Sequence, residues 1–463
     1  MHLIHIDKIL RKTPAAGEIP DERELLQNTM QVAWPSIVES FLVSLVGMID
    51  MIMVGSLGSY AIAAVGLTTQ PKFIGLAIFV SLNVAVSALV ARRRGEQDQE
   101  SANKVLVQAL LITLGLTVVV TALCVGFADQ IIRFAGSAPD THADAVAYFR
   151  IIMGGLIFNS VTLVINAAQR GAGNTRIAMR TNMVSNGVNL LFNYLLIGGN
   201  FGFPKLGVKG AAIATVIGTV FGLVLSVRSV SHPDQFLYFH GLRHVRFDRR
   251  TIRTITSISS STLAEQVFLR IGFFTYAIIV AHLGTVAFAA HQIGMNLLTI
   301  NFSLGDGLSA ASIALVGRSL GENRADLARI YGSVCQRIGL FFSCVPAVIY
   351  LSVGKYIFML FSQEAQILAF APVIITPMIL IVFMQIANVT FSGCLRAAGD
   401  TVFVAVVSLI SVTFIRPFSG WLFCYPLQMG LMGAWLGLTV DQALRSLLNG
   451  LRFAGGRWTK IKI

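Results

Sequence analysis

The stretch ALVARRRGEQ, residues 88–97, is nearly repeated 226 positions later as ALVGRSLGEN, residues 314–323. The two stretches share six of their ten residues, and each places basic side chains directly after an apolar run. Self-similarity at a fixed offset indicates that a chain is built from repeated structural units. This repeat predicts that the chain is built from two related halves.

Two further pairs of segments align at the same offset. SLGSYAIAAVG (56–66) matches HLGTVAFAAHQ (282–292) in Leu, Gly and three Ala, and RGAGNT (170–175) matches RAAGDT (396–401) in Arg, Ala, Gly and Thr. Agreement at three separated places with one offset exceeds what apolar sequences produce by chance. The duplication therefore extends over most of the chain.

The composition places the chain in a membrane. Apolar residues make up 55% of the 463 residues, charged residues only 12%, and the mean hydropathy is +0.73. These values exceed what the core of a soluble domain requires. Apolar segments of about 20 residues or more, each long enough to cross a hydrocarbon core of roughly 30 Å, recur along the chain. The twelve predicted spans are 30–54, 62–91, 104–128, 143–168, 177–198, 206–228, 254–281, 286–316, 329–354, 366–394, 402–424 and 430–452.

The number of spans in each half fixes the relation between the halves. Each half carries six spans, and because six is even, both halves enter the membrane in the same direction. The predicted fold is an all-α membrane protein with twelve transmembrane helices, arranged as two six-helix lobes in a parallel internal repeat. The predicted segments are a cytoplasmic lead-in (1–29), an N-lobe (30–228), a cytoplasmic linker (229–253), a C-lobe (254–453) and a cytoplasmic tail (454–463).

The distribution of positive charge predicts the orientation. The net charge is +13, and 26 of the 35 Lys and Arg residues lie on one side of the predicted spans, against four on the other. Such an asymmetry between alternate loops is typical of the positive-inside rule and does not indicate a nucleic-acid partner. We therefore expect a multi-pass protein of the plasma membrane with both termini in the cytoplasm.

Enzymatic and metal motifs are not found in the sequence. The five cysteines lie in apolar spans without CxxC spacing, so neither a disulfide framework nor a zinc site is predicted. The chain has no GxxxxGK[ST] phosphate loop and no HExxH motif. We expect no enzyme activity and no organic cofactor.

The order of several motifs resembles the multidrug and toxic compound extrusion (MATE) transporters. The motifs are LVGRSLGE (315–322), AAHQI (289–293), RGAGNTR (170–176), LRAAGDT (395–401) and GVKGAAIAT (207–215). The resemblance covers nearly the whole chain. It implies two six-helix lobes and secondary antiport, in which an inward Na⁺ or H⁺ gradient drives the export of small molecules, often amphiphilic organic cations. A monomer in the lipid bilayer is expected.

The resemblance also implies a cation or proton site in the N-lobe. Asp50, about 20 residues into the first helix, matches the family's carboxylate on that helix, and Asn189, Asn193 and Thr215 match positions of its cation site. A buried carboxylate can hold a proton, or Na⁺ if neutral oxygens complete the shell. Some members carry Asp where this chain has Asn193, which leaves the choice between Na⁺ and H⁺ open. Asn189 and Asn193, four residues apart on one helix face, could instead form interhelical hydrogen bonds, and Asp50 could pair with Lys72.

Further charged and polar residues within the spans are candidates for the substrate cavity. Glu265 matches a family glutamate, and Glu39 is its mate in the repeat. Arg270 lies five residues beyond Glu265, which is a poor spacing for an ion pair on a helix. Gln385 stands eleven residues before a loop arginine, where drug-exporting members often have Asp, so the indication of cationic cargo is weaker. Lys72 and Arg416 could neutralise acids such as Asp441, or bind an anionic group on the cargo.

Two other functions fit parts of this pattern. A flippase of lipid-linked or anionic cargo from the same wider superfamily would use the embedded arginines, although such proteins often have more than twelve helices. A channel would show no competition between cargo and ion.

Overall fold

The computed structural model describes residues 15–57, 59–135, 137, 139–231, 235–238, 248–361 and 364–461. Parts of the predicted lead-in, linker and tail lie outside these residues. Within them, every regular element is a helix, and each of the twelve predicted spans coincides with a long helix or a broken pair of helices. The predicted all-helical fold is confirmed. The long helices are α1 (Glu22–Gly55), α2 (Ser59–Gly95), α3 (Gln99–Gly126), α4 (Pro139–Gly154 and Leu156–Gly171), α5 (Thr175–Gly198), α6 (Gly207–Ser229), α7 (Arg249–Ala281), α8 (Thr285–Gly321), α9 (Ala325–Phe361), α10 (Ala371–Ala397), α11 (Thr401–Cys424) and α12 (Gly430–Gly455).

Most of these helices are suited to a membrane. In the described part of the chain, nine are long and apolar enough to cross a bilayer, and α4 makes a tenth if its two arms, bent by 47°, form one span. The remaining two, α5 and α12, carry polar side chains in their middles: Asn189 and Asn193 in α5, and Asp441 and Arg445 in α12. Polar residues at such positions are costly in a bilayer and usually serve a function.

The described chain divides into two compact units. The N-terminal unit is Val38–Ser259, and the C-terminal unit consists of the residues up to Ile37 together with Ser260–Ile463. The boundaries therefore fall inside α1 and α7. The start of α1 belongs to the C-terminal unit because its apolar face packs there. The buried residues of this cluster are Leu25, Ala33, Ile37, Leu308, Ala311, Ile330, Val334, Ile338 and Ile386.

The duplicated stretch that opens the sequence forms the same turn in both halves. Gln97 and Asn323, which are repeat mates, both adopt a left-handed backbone with φ of 56° and 57°. The N–H of Gln97 donates to the carbonyl oxygen of Arg94 at 3.2 Å, and the N–H of Asn323 donates to that of Leu320 at 3.2 Å. The repeat is therefore preserved at the level of backbone hydrogen bonds.

The first of these turns is closed by a capping residue. The Asp98 carboxylate accepts a hydrogen bond of 2.9 Å from the backbone N–H of Ser101 at the start of α3. Hydrogen bonding to Ser101 lowers the pKa of Asp98 below its usual value. The aspartate thus satisfies one of the free N–H groups of the helix N-terminus.

Two backbones of the N-terminal unit approach each other closely at Gly171. A Cβ atom on Gly171 would lie 2.4 Å from the carbonyl oxygen of Ser87, whereas the repeat mate of Gly171 is Ala397. We expect Gly171→Ala to lower the free energy of unfolding by about 1–3 kcal/mol, because the backbone must move to admit a methyl group. Thermal unfolding in detergent measures the change. Gly115→Ala, where a Cβ meets nothing within 4 Å, is the control and should unfold no earlier than wild type.

Candidate functional site

The structure brings Asp50 together with two of its predicted partners. The amide nitrogen of Asn189 donates to Oδ2 of Asp50 at 2.9 Å, and that of Asn193 donates to Oδ1 at 2.7 Å. Both asparagines are buried, and Asp50 is half-buried. The spacing of four residues on α5 presents both amides to the same carboxylate on α1. This cluster lies entirely within the N-terminal unit.

The two amides can serve a carboxylate in either protonation state. With their N–H groups toward Asp50 they satisfy the ionised carboxylate, while Oδ1 of Asn189 and Oδ1 of Asn193 are buried without a hydrogen-bond partner among the described residues. Rotation of an amide by half a turn would present this oxygen instead, either to a protonated carboxyl or to a bound cation. The arrangement is chemically suited to a site that alternates between empty and cation-bound forms.

Thr215 and Lys72 lie in a neighbouring cavity of about 130 Å³ within the same unit. The Thr215 hydroxyl donates to the carbonyl oxygen of Ala211 at 2.9 Å, so in the described part of the chain it is not a hydrogen-bond partner of Asp50. Lys72 interacts electrostatically with Asp50. The cavity is lined by Lys72, Leu76, Ile152, Met153, Gly155, Leu156, Asn159, Thr215, Val216 and Thr219.

The break in α4 shapes this cavity. The two arms of α4 end and begin at Gly154 and Leu156, with Gly155 between them. A Cβ on Gly155 would lie 2.6 Å from a methyl group of Val216, so the absence of a side chain allows α4 and α6 to approach each other. The bend leaves space beside Lys72 and Asn159.

Glu39 and Glu265 form equivalent networks in the two units. In the N-terminal unit, Oε1 of Glu39 accepts from Arg170 at 2.8 Å and from the amide nitrogen of Asn182 at 2.5 Å. Glu39 is 7% exposed. Arg170 comes from the end of α4 and Asn182 from α5. A glutamate of α1 thereby joins three helices.

In the C-terminal unit, Arg396 Nη2 donates to both carboxylate oxygens of Glu265, at 2.7 and 2.8 Å. The Ser408 hydroxyl donates to Oε1 at 3.1 Å. Glu265, Arg396 and Ser408 are the repeat mates of Glu39, Arg170 and Asn182, respectively. The same three positions thus form the same network twice.

The remaining candidates lie apart from these ion pairs. Gln385 is buried, and its side-chain oxygen accepts from Asn301 at 2.7 Å. Arg270 is exposed on α7, and the ion-pair partner of Glu265 is Arg396. Arg416 forms an ion pair with Asp441, which is one of the partners suggested by the sequence. The buried Arg445 pairs with the same aspartate.

Comparison with known proteins identifies the family. The MatE family profile matches this chain twice, over residues 35–195 and 262–422, one match in each half. The chain belongs to the MATE family. Its fold and twofold repeat agree with that membership, and MATE proteins are membrane transporters.

Relatives along the whole length support the MATE assignment. The chain is 26% identical over 446 residues to a probable multidrug resistance protein NorM of Thermotoga maritima, covering 96% of this chain and 94% of the relative. It is 28% identical over 417 residues to a probable multidrug resistance protein NorM of Rhizobium meliloti, covering 87% and 88%. The fold is similar to that of a multidrug resistance MATE family transporter of the MOP superfamily solved in an outward-facing conformation, with a TM-score of 0.86, 20% identity and coverage of 95% and 100%.

The partners of the two glutamates were missed in the sequence of this MATE protein. Arg170 and Arg396 stood out only as members of matching loops. The glutamate and the arginine are separated by 131 residues in both halves. That both residue types recur at this spacing is the sequence feature that could have indicated the pairing. Two residues that pair across the fold must keep their positions in both copies of a repeat.

The ion pair in the N-terminal unit should contribute to stability. We expect Arg170→Gln to lower the free energy of unfolding by about 1.5–3 kcal/mol, because a buried carboxylate loses a charged hydrogen-bond donor. Unfolding of the purified MATE protein in detergent measures the effect. The double variant Glu39→Gln with Arg170→Gln should recover part of the loss, since neither member of the pair then leaves an unpaired charge in the interior. A double variant less stable than Arg170→Gln alone would contradict this account.

Proposed function

We propose that this MATE protein exports small amphiphilic organic compounds by alternating access, as a secondary antiporter driven by Na⁺ or H⁺ entering the cell. The observation that carries the proposal is the Asp50 carboxylate held by Asn189 and Asn193 inside the N-terminal unit. The relatives named as multidrug resistance proteins support the class of cargo. We further propose the plasma membrane as its location, with both termini in the cytoplasm, in agreement with the charge pattern.

Asp50 is suited to couple the two fluxes. A carboxylate that binds a cation or a proton loses its negative charge, and a cationic cargo that needs this charge is then released. Competition of this kind gives exchange in opposite directions. Each unit charge that moves with the membrane potential contributes about 2.3 kcal/mol per 100 mV, so the coupling ion supplies the energy for export.

The Asp50 site offers oxygen ligands for either coupling ion. A proton needs one acceptor on the carboxylate and one neighbouring oxygen to receive its hydrogen bond. Na⁺ needs several oxygens, which the carboxylate and the rotated amides of Asn189 and Asn193 could supply. We therefore propose Asp50, Asn189 and Asn193 as the ion site, and Thr215 with the adjoining cavity as the place where cargo meets it.

A second candidate function is the transport of anionic or lipid-linked cargo. Lys72 favours it, because this side chain lines the cavity of the N-terminal unit together with Asn159, Thr215 and Thr219. A lysine ammonium group can hold a carboxylate or phosphate by charge and hydrogen bonds. The two functions differ in the sign of the cargo charge.

Uptake into proteoliposomes tests the proposal. Vesicles loaded with Na⁺ at uniform pH, or with acid at uniform Na⁺, are diluted into buffer with ethidium as a cationic probe or carboxyfluorescein as an anionic one. Accumulation of ethidium under one of the two gradients, abolished by an ionophore that dissipates that gradient, supports antiport and identifies the ion. Accumulation of carboxyfluorescein alone supports the second function. If neither dye accumulates above the level in protein-free vesicles, the proposed cargo class is wrong.

A further inference from the structure

A groove of about 490 Å³ lies in the C-terminal unit, where α11 begins and α12 ends. The predicted membrane spans of these helices, 402–424 and 430–452, begin and end at the same place. The groove therefore lies where the hydrocarbon core of the bilayer meets the lipid headgroups. It is lined by Phe403 of α11, by Leu448, Leu451, Arg452 and Gly455 of α12, and by Arg457 of the turn that follows.

Arg452 is held in the groove by two contacts. Its Nε donates to Oδ2 of Asp400 at 2.7 Å, and its Cζ lies 5.0 Å from the centre of the Phe403 ring. Asp400 immediately precedes α11, so this ion pair joins the two helices that form the groove. Because Asp400 accepts from Nε alone, Nη1 and Nη2 of Arg452 have no acceptor among the described residues. These nitrogens are available as donors to a ligand.

Arg457 carries a charge that its surroundings do not balance. Its side chain is exposed, and in the described part of the chain no carboxylate lies within ion-pair distance of it. Guanidinium groups stay protonated in proteins, so the groove has the two positive charges of Arg452 and Arg457 against the one negative charge of Asp400. A ligand with a single negative charge balances this excess.

The turn that carries Arg457 is fixed to the helix before it. Gly456 adopts a left-handed backbone with φ of 73°, which ends α12. Trp458 is completely buried and stacks on Phe453, with the ring centres 5.2 Å apart. Its Nε1 also donates to the carbonyl oxygen of Phe453 at 2.8 Å. Arg457 thus stands on an anchored segment, and ordering it against a ligand costs less than ordering a loose tail.

The first half has no equivalent pair of arginines. The repeat mates of Arg452 and Arg457 are Ser226 and Ser231, at the end of α6. The framework that both halves share therefore does not require these two charges.

The apolar part of the groove continues along both helices. Leu448 lies about one helical turn, roughly 5.4 Å, deeper in the predicted span than Arg452. Leu451 is 60% exposed, and further exposed apolar side chains follow at Leu447 of α12 and Val406 of α11. A ligand in the groove therefore meets two guanidinium groups at one end and, at the other, an apolar surface that leads toward the middle of the bilayer.

We propose that this groove binds a phospholipid with a net negative charge, such as phosphatidylglycerol. The lipid phosphate accepts hydrogen bonds from Arg452 and Arg457, and the acyl chains lie over Leu448, Leu451 and the apolar surface beyond them. Zwitterionic lipids are less suited, because their ammonium group adds a positive charge beside the two arginines. Basic pockets between transmembrane helices on the cytoplasmic side suit anionic headgroups. In the orientation proposed above, the lipid belongs to the cytoplasmic leaflet, and its binding does not depend on the proposed antiport.

Lipid-dependent stability of the purified full-length protein tests the proposal. The protein is delipidated in a non-ionic detergent, and its melting temperature is followed as phosphatidylglycerol, or phosphatidylcholine with the same acyl chains, is added. A ligand that binds only the folded state raises the melting temperature in a saturable manner. We expect such a rise with phosphatidylglycerol and a smaller one with phosphatidylcholine. Equal rises with the two lipids, or no rise with either, would contradict the proposal.

Soluble glycerol phosphate distinguishes a lipid from a free phosphate, because it carries the charge of the headgroup without acyl chains. We expect no stabilisation by this compound at the concentrations where phosphatidylglycerol acts. A rise equal to that with phosphatidylglycerol would indicate a site for soluble anions and overturn the assignment to a lipid.

Variants of Arg457 test the groove itself. Arg457→Gln should raise the phosphatidylglycerol concentration at half-saturation about fivefold, the factor expected for one cation beside an anionic lipid surface. Arg457→Lys keeps the charge and should stay near wild type. Because Arg457 is exposed and unpaired among the described residues, both variants should melt like wild type without added lipid.

Lys460→Gln is the matched control. It removes an exposed positive charge from the same turn, but Lys460 does not line the groove, so this variant should respond to phosphatidylglycerol like wild type. If Arg457→Gln and Lys460→Gln weaken the response equally, the effect is one of general surface charge and the proposed site is wrong. The site is equally wrong if Arg457→Gln responds like wild type. Since no transport is measured, these results leave the proposed antiport unaffected.

Discussion

Asp50→Asn is expected to abolish gradient-driven uptake of ethidium, reducing it to the level of protein-free vesicles under both Na⁺ and H⁺ gradients. The asparagine side chain has nearly the same shape as aspartate but cannot ionise, so it neither takes up a proton nor supplies a charged ligand to Na⁺. The fold should persist, because Asn189 and Asn193 can rotate to bond with an amide. Uptake is measured in proteoliposomes containing equal amounts of monodisperse protein.

The matched control for this experiment is Glu100→Gln, which removes a carboxylate of the same unit at the exposed start of α3. Glu100 is 80% exposed, and its ion-pair partner among the described residues is the exposed Lys104, so uptake should equal that of wild type. Retention of half or more of the wild-type uptake by Asp50→Asn would show that coupling does not depend on this carboxylate. The ion site would then have to be sought elsewhere.

Asp441→Asn is expected to cause a large loss of stability, lowering the free energy of unfolding by about 3–5 kcal/mol. Removal of the carboxylate leaves two guanidinium groups in the interior of the C-terminal unit without a counter-charge from the protein, and breaking a buried ion pair from one side is strongly destabilising. Unfolding by a denaturing detergent, titrated against the mild one used for purification, measures the change.

Glu322→Gln is the control in the same unit. It breaks a pair with Arg318 that is 53% exposed on the arginine side, and exposed pairs contribute little to stability. Arg445→Gln should also be milder than Asp441→Asn, because it leaves one arginine and one aspartate in balance. If Asp441→Asn unfolds at the same denaturant concentration as Glu322→Gln, the expected loss of stability is absent and the Asp441 carboxylate is not needed to stabilise the two buried arginines.

The fold could be predicted from the sequence because its causes are local and repeated. Apolar length defines each span, and the constant offset defines the two halves, so the predicted spans 30–54 and 254–281 end within a residue of α1 and α7. Both helices begin earlier than the predicted spans. α1 begins at Glu22, not at residue 30, because Leu25 and its neighbours pack against α8 and α9 instead of continuing as a polar segment.

The site could be predicted only where partners lie on one helix face. Asn189 and Asn193 are one turn apart, so their convergence on a single group follows from helix geometry. The pairing of Glu39 with Arg170 spans 131 residues and depends on how three helices pack, which no local pattern records. The pair of Asp441 and Arg445 could not be predicted either. The two residues lie one helical turn apart, but the same spacing is common on exposed helix faces, and the sequence does not show that both side chains are buried.

The two equivalent glutamate and arginine networks bear on how the two halves of the protein are related. Glutamate and arginine occupy the same positions in both halves, with a polar partner, Asn182 or Ser408, on the fifth helix of each half, as duplication of a six-helix unit that already carried the pair would produce. The Asp50 cluster and the Asp441 cluster do not share this symmetry, because the repeat mate of Asp50 is Tyr276 and that of Asp441 is Thr215. The two halves therefore share one framework of glutamate and arginine, and each half adds a buried acidic cluster at positions that the other half does not use.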